Sequence, residues 1–232
     1  MRESFSTDMR VAAFAKPEER KESLIRHSCP IVGPAELAEL QHVIDSRYVG
    51  YGPRTRQFEQ EIGSWLGMPY GRAVTSGTCA LQLALMSLAP EEALQSLDSM
   101  RKFFRGKSVL LPAYVCSSVL YAVEWTGAEV RLVDIDEQTW CADAELMASQ
   151  ADQNTIASVA VYLFGHPGPE QLPEGHWSWI EDIAQCIGAH KNGQASGSLG
   201  RMSVCSFYAT KMLTTGTGGM ILSGEPELGQ RI

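Results

Sequence analysis

Apolar positions recur along this chain in two rhythms, and their alternation outlines a fold. In AELAELQHVIDS, residues 35–46, Leu37, Leu40, Val43 and Ile44 return every three or four positions, as on one face of an α-helix. After the turn YVGYGP, the stretch TRQFEQEIGSWLG sets Phe58, Ile62, Trp65 and Leu66 on one helical face, with Gly67 placed to cap the C-terminus. A short strand, RAVT, then runs into Ser76-Gly77-Thr78 and the helical segment CALQLALMSL. KSVLLPAYV and AEVRLVDI have the continuous apolar character of buried strands, and SSVLYAVEWTG between them is helical. NTIASVAVYLFG, HWSWIEDI, SVCSFYAT and GGMILS supply further strands, and Asn192-Gly193 inside AHKNGQAS is a hairpin-turn signal. Short strands separated by helical runs predict an α/β fold with a mainly parallel, mixed sheet flanked by helices. No repeat or low-complexity linker divides the chain, so residues 31–232 are expected to form one domain behind a flexible leader, residues 1–30.

Composition narrows the classes without naming one. Hydrophobic residues make up 44% and charged residues 20%, the balance of a globular protein with a substantial core. A formal net charge of −8, with no basic stripe to offset it, argues against nucleic acid as a partner. VLLPAYV and IASVAVYLFG fall short of the roughly 20 apolar residues of a membrane helix, and the N-terminus has no signal-peptide core. Cys29, Cys79, Cys116, Cys141, Cys186 and Cys205 are scattered, with no CxxC pair and no histidine at zinc-ligand spacing. Buried thiols in a cytoplasmic protein are the expectation, with neither membrane nor metal involved.

Three predicted strand ends carry candidate chemistry. Ser76-Gly77-Thr78 opens a helix, where free backbone N–H groups and a hydroxyl suit a phosphate and Gly77 lets a ligand approach closely; a plain helix cap is the alternative. Asp182 sits where WIEDI gives way to a short helical segment, either as a ligand group at a strand's carboxyl end or as a capping aspartate. Lys211 ends SFYATK before the glycines of TTGTGG, with Ser206 upstream; a solvated surface lysine is the alternative. Its neighbours Tyr208, Met212 and Leu213 are not typical surface companions, which points to partial desolvation, and the glycines suggest that something lies against the backbone. Taken together, a phosphate cradle, a carboxylate and a lysine are what pyridoxal 5′-phosphate (PLP) requires: a covalent anchor, a partner for the pyridine nitrogen and a hold on the phosphate. GxGxxG, GxxxxGK[ST], GxSxG and HExxH are all absent.

GPRTRQFEQEIGSWLG, VTSGTCALQLAL, TGAEVRLVDID, VYLFGHP and the long block from IEDIAQ to GGMILS resemble, in order and spacing, the DegT/DnrJ/EryC1/StrS family. That resemblance implies nucleotide-sugar aminotransferases with the fold-type I large domain. It further implies amino transfer from glutamate or a similar donor to a keto group on a nucleotide-linked sugar, in polysaccharide or secondary-metabolite synthesis. By the same resemblance Lys211 matches the lysine that anchors the cofactor and Asp182 the partner of its ring nitrogen. Gln185 matches the residue beside the phenolic oxygen, and Ser206 with Gly77, Thr78 and the Cys79 backbone the phosphate ligands. Cys116 stands where the family places a stacking aromatic, with Tyr114 nearby as a substitute, and His166 where many relatives have glutamine; Tyr114 and His166 are candidate substrate contacts. A lysine at position 211 argues against the family's dehydratase branch, where a histidine takes that place. The resemblance also implies a homodimer and a further small C-terminal domain, so residues 31–232 correspond to the large domain alone. Two alternatives stay open: a non-catalytic PLP-binding remnant, and an aminotransferase acting on an amino-cyclitol type ketone.

Overall fold

A computed structural model describes residues 27–232. The expected leader, residues 1–30, lies mostly outside the described residues. The first helix, α1 (Pro34–Ser46), begins with proline at its first position and with the Glu36 carboxylate accepting the Gly33 N–H at 2.7 Å. α2 (Pro53–Leu66) starts on a second Gly-Pro step and stops at Gly67, whose φ of 69° lets the Met68 N–H reach back to the Gly63 carbonyl at 2.8 Å. Strand β1 (Tyr70–Val74) leads into α3 (Gly77–Met86), and α4 (Leu97–Phe104) precedes β2 (Ser108–Pro112). α5 (Ser117–Thr126) connects β2 to β3 (Glu129–Val133), and α6 (Ala144–Gln150) connects β3 to β4 (Thr155–Val161). β5 (Ser178–Asp182) is followed by a small hairpin, β6 (His190–Lys191) and β7 (Gln194–Ala195). Its turn residues Asn192 and Gly193 both have positive φ, as the Asn-Gly pair demands. β8 (Met202–Ser206), β9 (Gly219–Ser223) and α7 (Pro226–Arg231) complete the described chain.

Seven of these strands form one mixed sheet in the order β1-β9-β8-β5-β4-β2-β3. The run from β8 to β3 is parallel throughout, whereas β9 is antiparallel to both β8 and β1. β1 therefore points the same way as β8, and β9 is the one reversed strand of this sheet. That arrangement decides where chemistry can collect. The carboxyl ends of β1, β2, β4, β5 and β8 lie on one edge, and the loop from β8 to β9 leaves and returns on that same edge.

Side-chain alternation along the strands builds a core on each face of the sheet. Val109, Leu111, Val159, Ile180, Val204 and Ile221 pack with α3, α4 and α5 through Leu81, Leu85, Phe104 and Val123. Leu110, Ala160, Trp179, Cys205, Met220 and Leu222 point the other way and meet Ile62 and Leu66 of α2. The short helices α4 and α6 escape a reading by periodicity, because seven or eight residues leave only two core contacts each, Met100 and Phe104 in α4 and Ala144 and Met147 in α6. Two expectations about burial need correction. α1 forms as predicted, yet it buries none of its residues, and Leu37, Leu40 and Ile44 are exposed. In α2 the core face is Glu59, Ile62, Gly63 and Leu66, while Trp65 is exposed and lies beside Gly188.

Candidate active site

A cavity of about 370 Å³ opens at the carboxyl edge of the sheet and gathers the ends of five strands. On one side α3 begins. Ser76 caps it, its hydroxyl accepting the Cys79 N–H at 3.1 Å, so the cap reading of this turn holds. Capping does not exhaust the turn: Gly77 and Thr78 are the first two helical residues, and their N–H groups have no acceptor within the helix. Both line the cavity; Cys79, whose N–H is taken by Ser76, does not. Ser206, at the end of β8, reaches the same corner, where a Cβ on Gly77 would come within 2.9 Å of the Ser206 Cβ. Gly219, opposite Ser206 in the β8–β9 ladder, lies so close to α3 that a Cβ there would overlap the Ser76 carbonyl and the Gly77 nitrogen.

Asp182 forms the floor. It is the last residue of β5, buried, with its Oδ1 accepting the Ala184 N–H at 3.0 Å. No ion pair reaches it among the described residues. Burial pushes its carboxyl above the ordinary range, while the Ala184 N–H and the Lys211 charge pull the other way. Gln185 follows in the same turn: its backbone carbonyl accepts the Gly165 N–H at 3.0 Å and its side-chain oxygen the Phe164 N–H at 3.4 Å. The amide NH2 group is thus the part of Gln185 left to bond a ligand.

Lys211 closes the cavity from the β8–β9 loop. The loop is tied at its neck, where the Phe207 N–H bonds the Gly218 carbonyl at 2.9 Å and the Phe207 carbonyl accepts the Thr215 N–H at 3.0 Å. Lys211 itself donates its backbone N–H to the Tyr208 carbonyl at 2.9 Å and is half-buried, with no ion pair among the described residues. Its neighbours do not shelter it as expected: Tyr208, Met212 and Leu213 are all exposed. Nor do the glycines of the loop imply a ligand against the backbone. Gly216 has a φ of 83° that a turn requires, and Gly219 makes room for the protein's own α3 start.

Cys116, at the N-cap of α5, lines the cavity from the β2 side and is exposed. Its sulfur accepts the Ser118 hydroxyl at 3.2 Å, which with the Ser118 N–H and then the Lys211 charge draws the thiol below its ordinary range. The expectation of buried thiols therefore holds for Cys141, Cys186 and Cys205 and fails for Cys29 and Cys116. Among the described residues no cluster of His, Cys, Asp or Glu is arranged to hold a metal ion, and no helix is long and apolar enough to cross a membrane.

Of the residues singled out in the sequence, Gly77, Thr78, Cys116, Asp182, Gln185, Ser206 and Lys211 line one cavity. Tyr114 and His166 do not. Tyr114 lies edge-to-face against Trp140 with centroids 5.4 Å apart, and His166 uses Nδ1 to accept the Gly168 N–H at 3.1 Å. Sequence reasoning missed Ser118, Ala184 and Thr210 on the cavity wall, and it read Gly219 as facing a ligand where it faces the start of α3. Ser118 was within reach, because PAYVCSS is a strand end running into a helix start just as VTSGT is.

Comparison with known proteins gives the arrangement its relatives. The chain is 31% identical over 211 residues to the dTDP-4-dehydro-2,3,6-trideoxy-D-glucose 4-aminotransferase of Saccharopolyspora spinosa, covering 87% of this chain and 51% of the relative. The aminotransferase TlmJ from Streptoalloteichus hindustanus superposes with a TM-score of 0.77 at 30% identity, over 90% of this chain and 55% of that one. At 24% identity the fold alone is shared with E. coli GDP-4-keto-6-deoxy-D-mannose-3-dehydratase, solved with bound hydrated PLP, at a TM-score of 0.74 over 88% of this chain and 52% of that one. The chain spans about half the length of the curated relatives it matches. The profile of the DegT/DnrJ/EryC1/StrS aminotransferase family matches residues 30–232, and the chain belongs to that family.

Proposed function

We propose that this chain binds PLP and serves the transfer of an amino group from glutamate, or a similar donor, to the keto group of a nucleotide-linked sugar. One observation carries the reading: Asp182, a buried carboxylate with a single hydrogen bond and no ion pair among the described residues, lines the same cavity as the half-buried Lys211. A buried carboxylate in that condition calls for a charged or hydrogen-bonding partner. A protonated pyridine nitrogen meets the demand. The phosphate fits the opposite corner, where the free N–H groups of Gly77 and Thr78 and the Ser206 hydroxyl converge at the positive end of α3. Gln185 would offer its NH2 group to the phenolic oxygen, and Cys116 would flank the ring in place of an aromatic.

When bound, PLP supplies an electron sink for negative charge beside the amino-bearing carbon. The chain's own residues supply the rest. Asp182 keeps a proton on the nitrogen opposite it, and its burial strengthens that interaction by excluding water. Lys211 would anchor the cofactor through Nζ and, as a free amine, would take a proton from the amino-bearing carbon of the donor and deliver one to the acceptor carbon. The relatives include both aminotransferases and a dehydratase, and it is lysine at this position that favours amino transfer over dehydration. The proposal extends to a homodimeric assembly.

Absorbance tests it. Purified chain mixed with PLP is expected to show a visible band that Lys211→Ala removes and that borohydride bleaches as it fixes the cofactor covalently to the protein. Absence of the band in the parent chain overturns the reading. With the band in hand, glutamate should bleach it, and a panel of keto-sugar nucleotides should restore it for the true acceptor.

A further inference from the structure

Three large exposed aromatic side chains that the chemistry above leaves without a role adjoin the residues of the cavity wall. Tyr114 precedes the lining residues Val115 and Cys116, and Trp140 lies against it at 5.4 Å, the rings crossing at 74°. Phe164 follows the lining residue Leu163 and donates its N–H to the side chain of Gln185. Exposure is 48% for Tyr114, 52% for Trp140 and 69% for Phe164, so none of the three repays its apolar surface through the core.

Two of them are also held in costly backbone. Trp140 has φ 61° and Phe164 φ 55°, the left-handed region that bulky residues avoid. The Trp140 turn is built firmly. Its N–H bonds the Asp136 carbonyl at 2.8 Å, and the Asp136 carboxylate takes the N–H groups of Gln138 and Thr139 and the Thr139 hydroxyl. The next residue, Cys141, accepts the Leu163 N–H through its sulfur at 3.2 Å, which ties this turn to the cavity wall. Strain maintained by local bonds around side chains that gain no burial marks a position shaped for a ligand rather than for folding.

We propose that Tyr114, Trp140 and Phe164 form a stacking platform for the planar base of a nucleoside diphosphate whose sugar enters the Lys211 cavity. This rests on the reading of the cavity as a PLP and sugar site. A cavity of about 370 Å³ that takes the cofactor has no room for a base, a ribose and a diphosphate as well, so these extend across the mouth. Lys211 is the one cation among the lining residues. Phosphate pairing by that wall is thereby limited, and the exposed aromatic surface beside it offers faces on which a base can stack. An edge-to-face pair engages one ring face of its four, which leaves open faces for a base.

The test uses the full chain loaded with PLP and titrates GDP, UDP, dTDP and, as a base-free control, inorganic pyrophosphate, by calorimetry with tryptophan fluorescence alongside. At least one nucleotide should bind and quench, pyrophosphate should do neither, Trp140→Leu should weaken nucleotide binding about fivefold or more, and Trp140→Phe should restore most of it. Four results overturn the proposal: no nucleotide binding, equal binding of pyrophosphate, unchanged affinity in Trp140→Leu, or a change in oligomeric state with affinity intact, which would make the rings a protein contact. Loading with PLP is monitored by the visible band, which Trp140 does not touch. A chain that keeps the band and fails here loses this inference alone, and a chain without the band loses the earlier reading first.

Discussion

Asp182 shows what a candidate ligand group costs the fold. Its carboxyl is buried against one N–H, and burial raises its affinity for a proton in the folded state above that in the unfolded chain. The sign follows directly: stability is lost as pH rises from the ordinary carboxylate value through the raised one, and stays reduced at neutral pH. Asp182→Asn keeps an oxygen for the Ala184 N–H while removing the charge. The cofactor-free variant should therefore melt a few degrees higher than the parent at pH 7, with the gain shrinking as pH falls and gone below about pH 3, where the parent is protonated in both states. The same variant should bind PLP at least about tenfold more weakly, because a neutral amide cannot hold a proton on the ring nitrogen. Differential scanning calorimetry of both forms across pH checks the first part and absorbance titration the second; a lower melting temperature in Asp182→Asn would contradict the account. Asp182 and Ser206 were legible as chemistry because each is a polar residue ending an apolar strand run, whereas Lys211, read as a strand end, lies five residues beyond β8 in the loop that follows. The exposure of Tyr208, Met212 and Leu213 was not, since apolar side chains in a loop read as core unless the loop's position at the cavity mouth is known.

Between elements, the decisive contact is the one that no side chain makes. β9 runs antiparallel between β1 and β8, and its first residue sits against the start of α3. Gly219→Ala would drive a methyl into the Ser76 carbonyl and the Gly77 nitrogen, backbone atoms that cannot rotate away. A loss of about 1–3 kcal/mol is expected, together with reduced PLP loading, because the same shift displaces the N–H groups of Gly77 and Thr78. Gly216→Ala is the control: it sits at φ 83° with open space around it, so it strains the loop locally and leaves the α3 start alone. Urea denaturation and PLP titration of both variants separate the cases, and equal loading in Gly219→Ala and parent would show that the contact is dispensable. Strand identities were readable from their apolar runs, and the parallel sheet from their alternation with helices. The reversal of β9 was not, because an antiparallel return of a dozen residues and a crossover connection both begin with a glycine-rich loop. Pairing across the sheet, rather than anything local to GGMILS, selects the former.

At the scale of the molecule, the helix that matched its pattern best is the one that packs least. α1 has the apolar spacing of a core helix, yet Leu37, Leu40 and Ile44 are 67%, 59% and 60% exposed, and Ile31, Val32, Tyr48 and Val49 beside them are exposed too. Periodicity reports that a face is apolar; it does not report what covers it. An apolar stripe of this length facing water favours association, and a homodimer places one such stripe against another surface of the same chain. Because α1 buries nothing, charges introduced there should change association without changing stability. Leu37→Glu combined with Leu40→Glu is expected to leave the melting temperature within a degree or two of the parent. Over a range of loading concentrations the parent should elute earlier than a 25.4 kDa monomer on size exclusion, increasingly so as concentration rises, and the double variant should elute as the monomer throughout. If the parent runs as a monodisperse monomer at every concentration, α1 is not an association surface; if the double variant melts well below the parent, α1 is core after all.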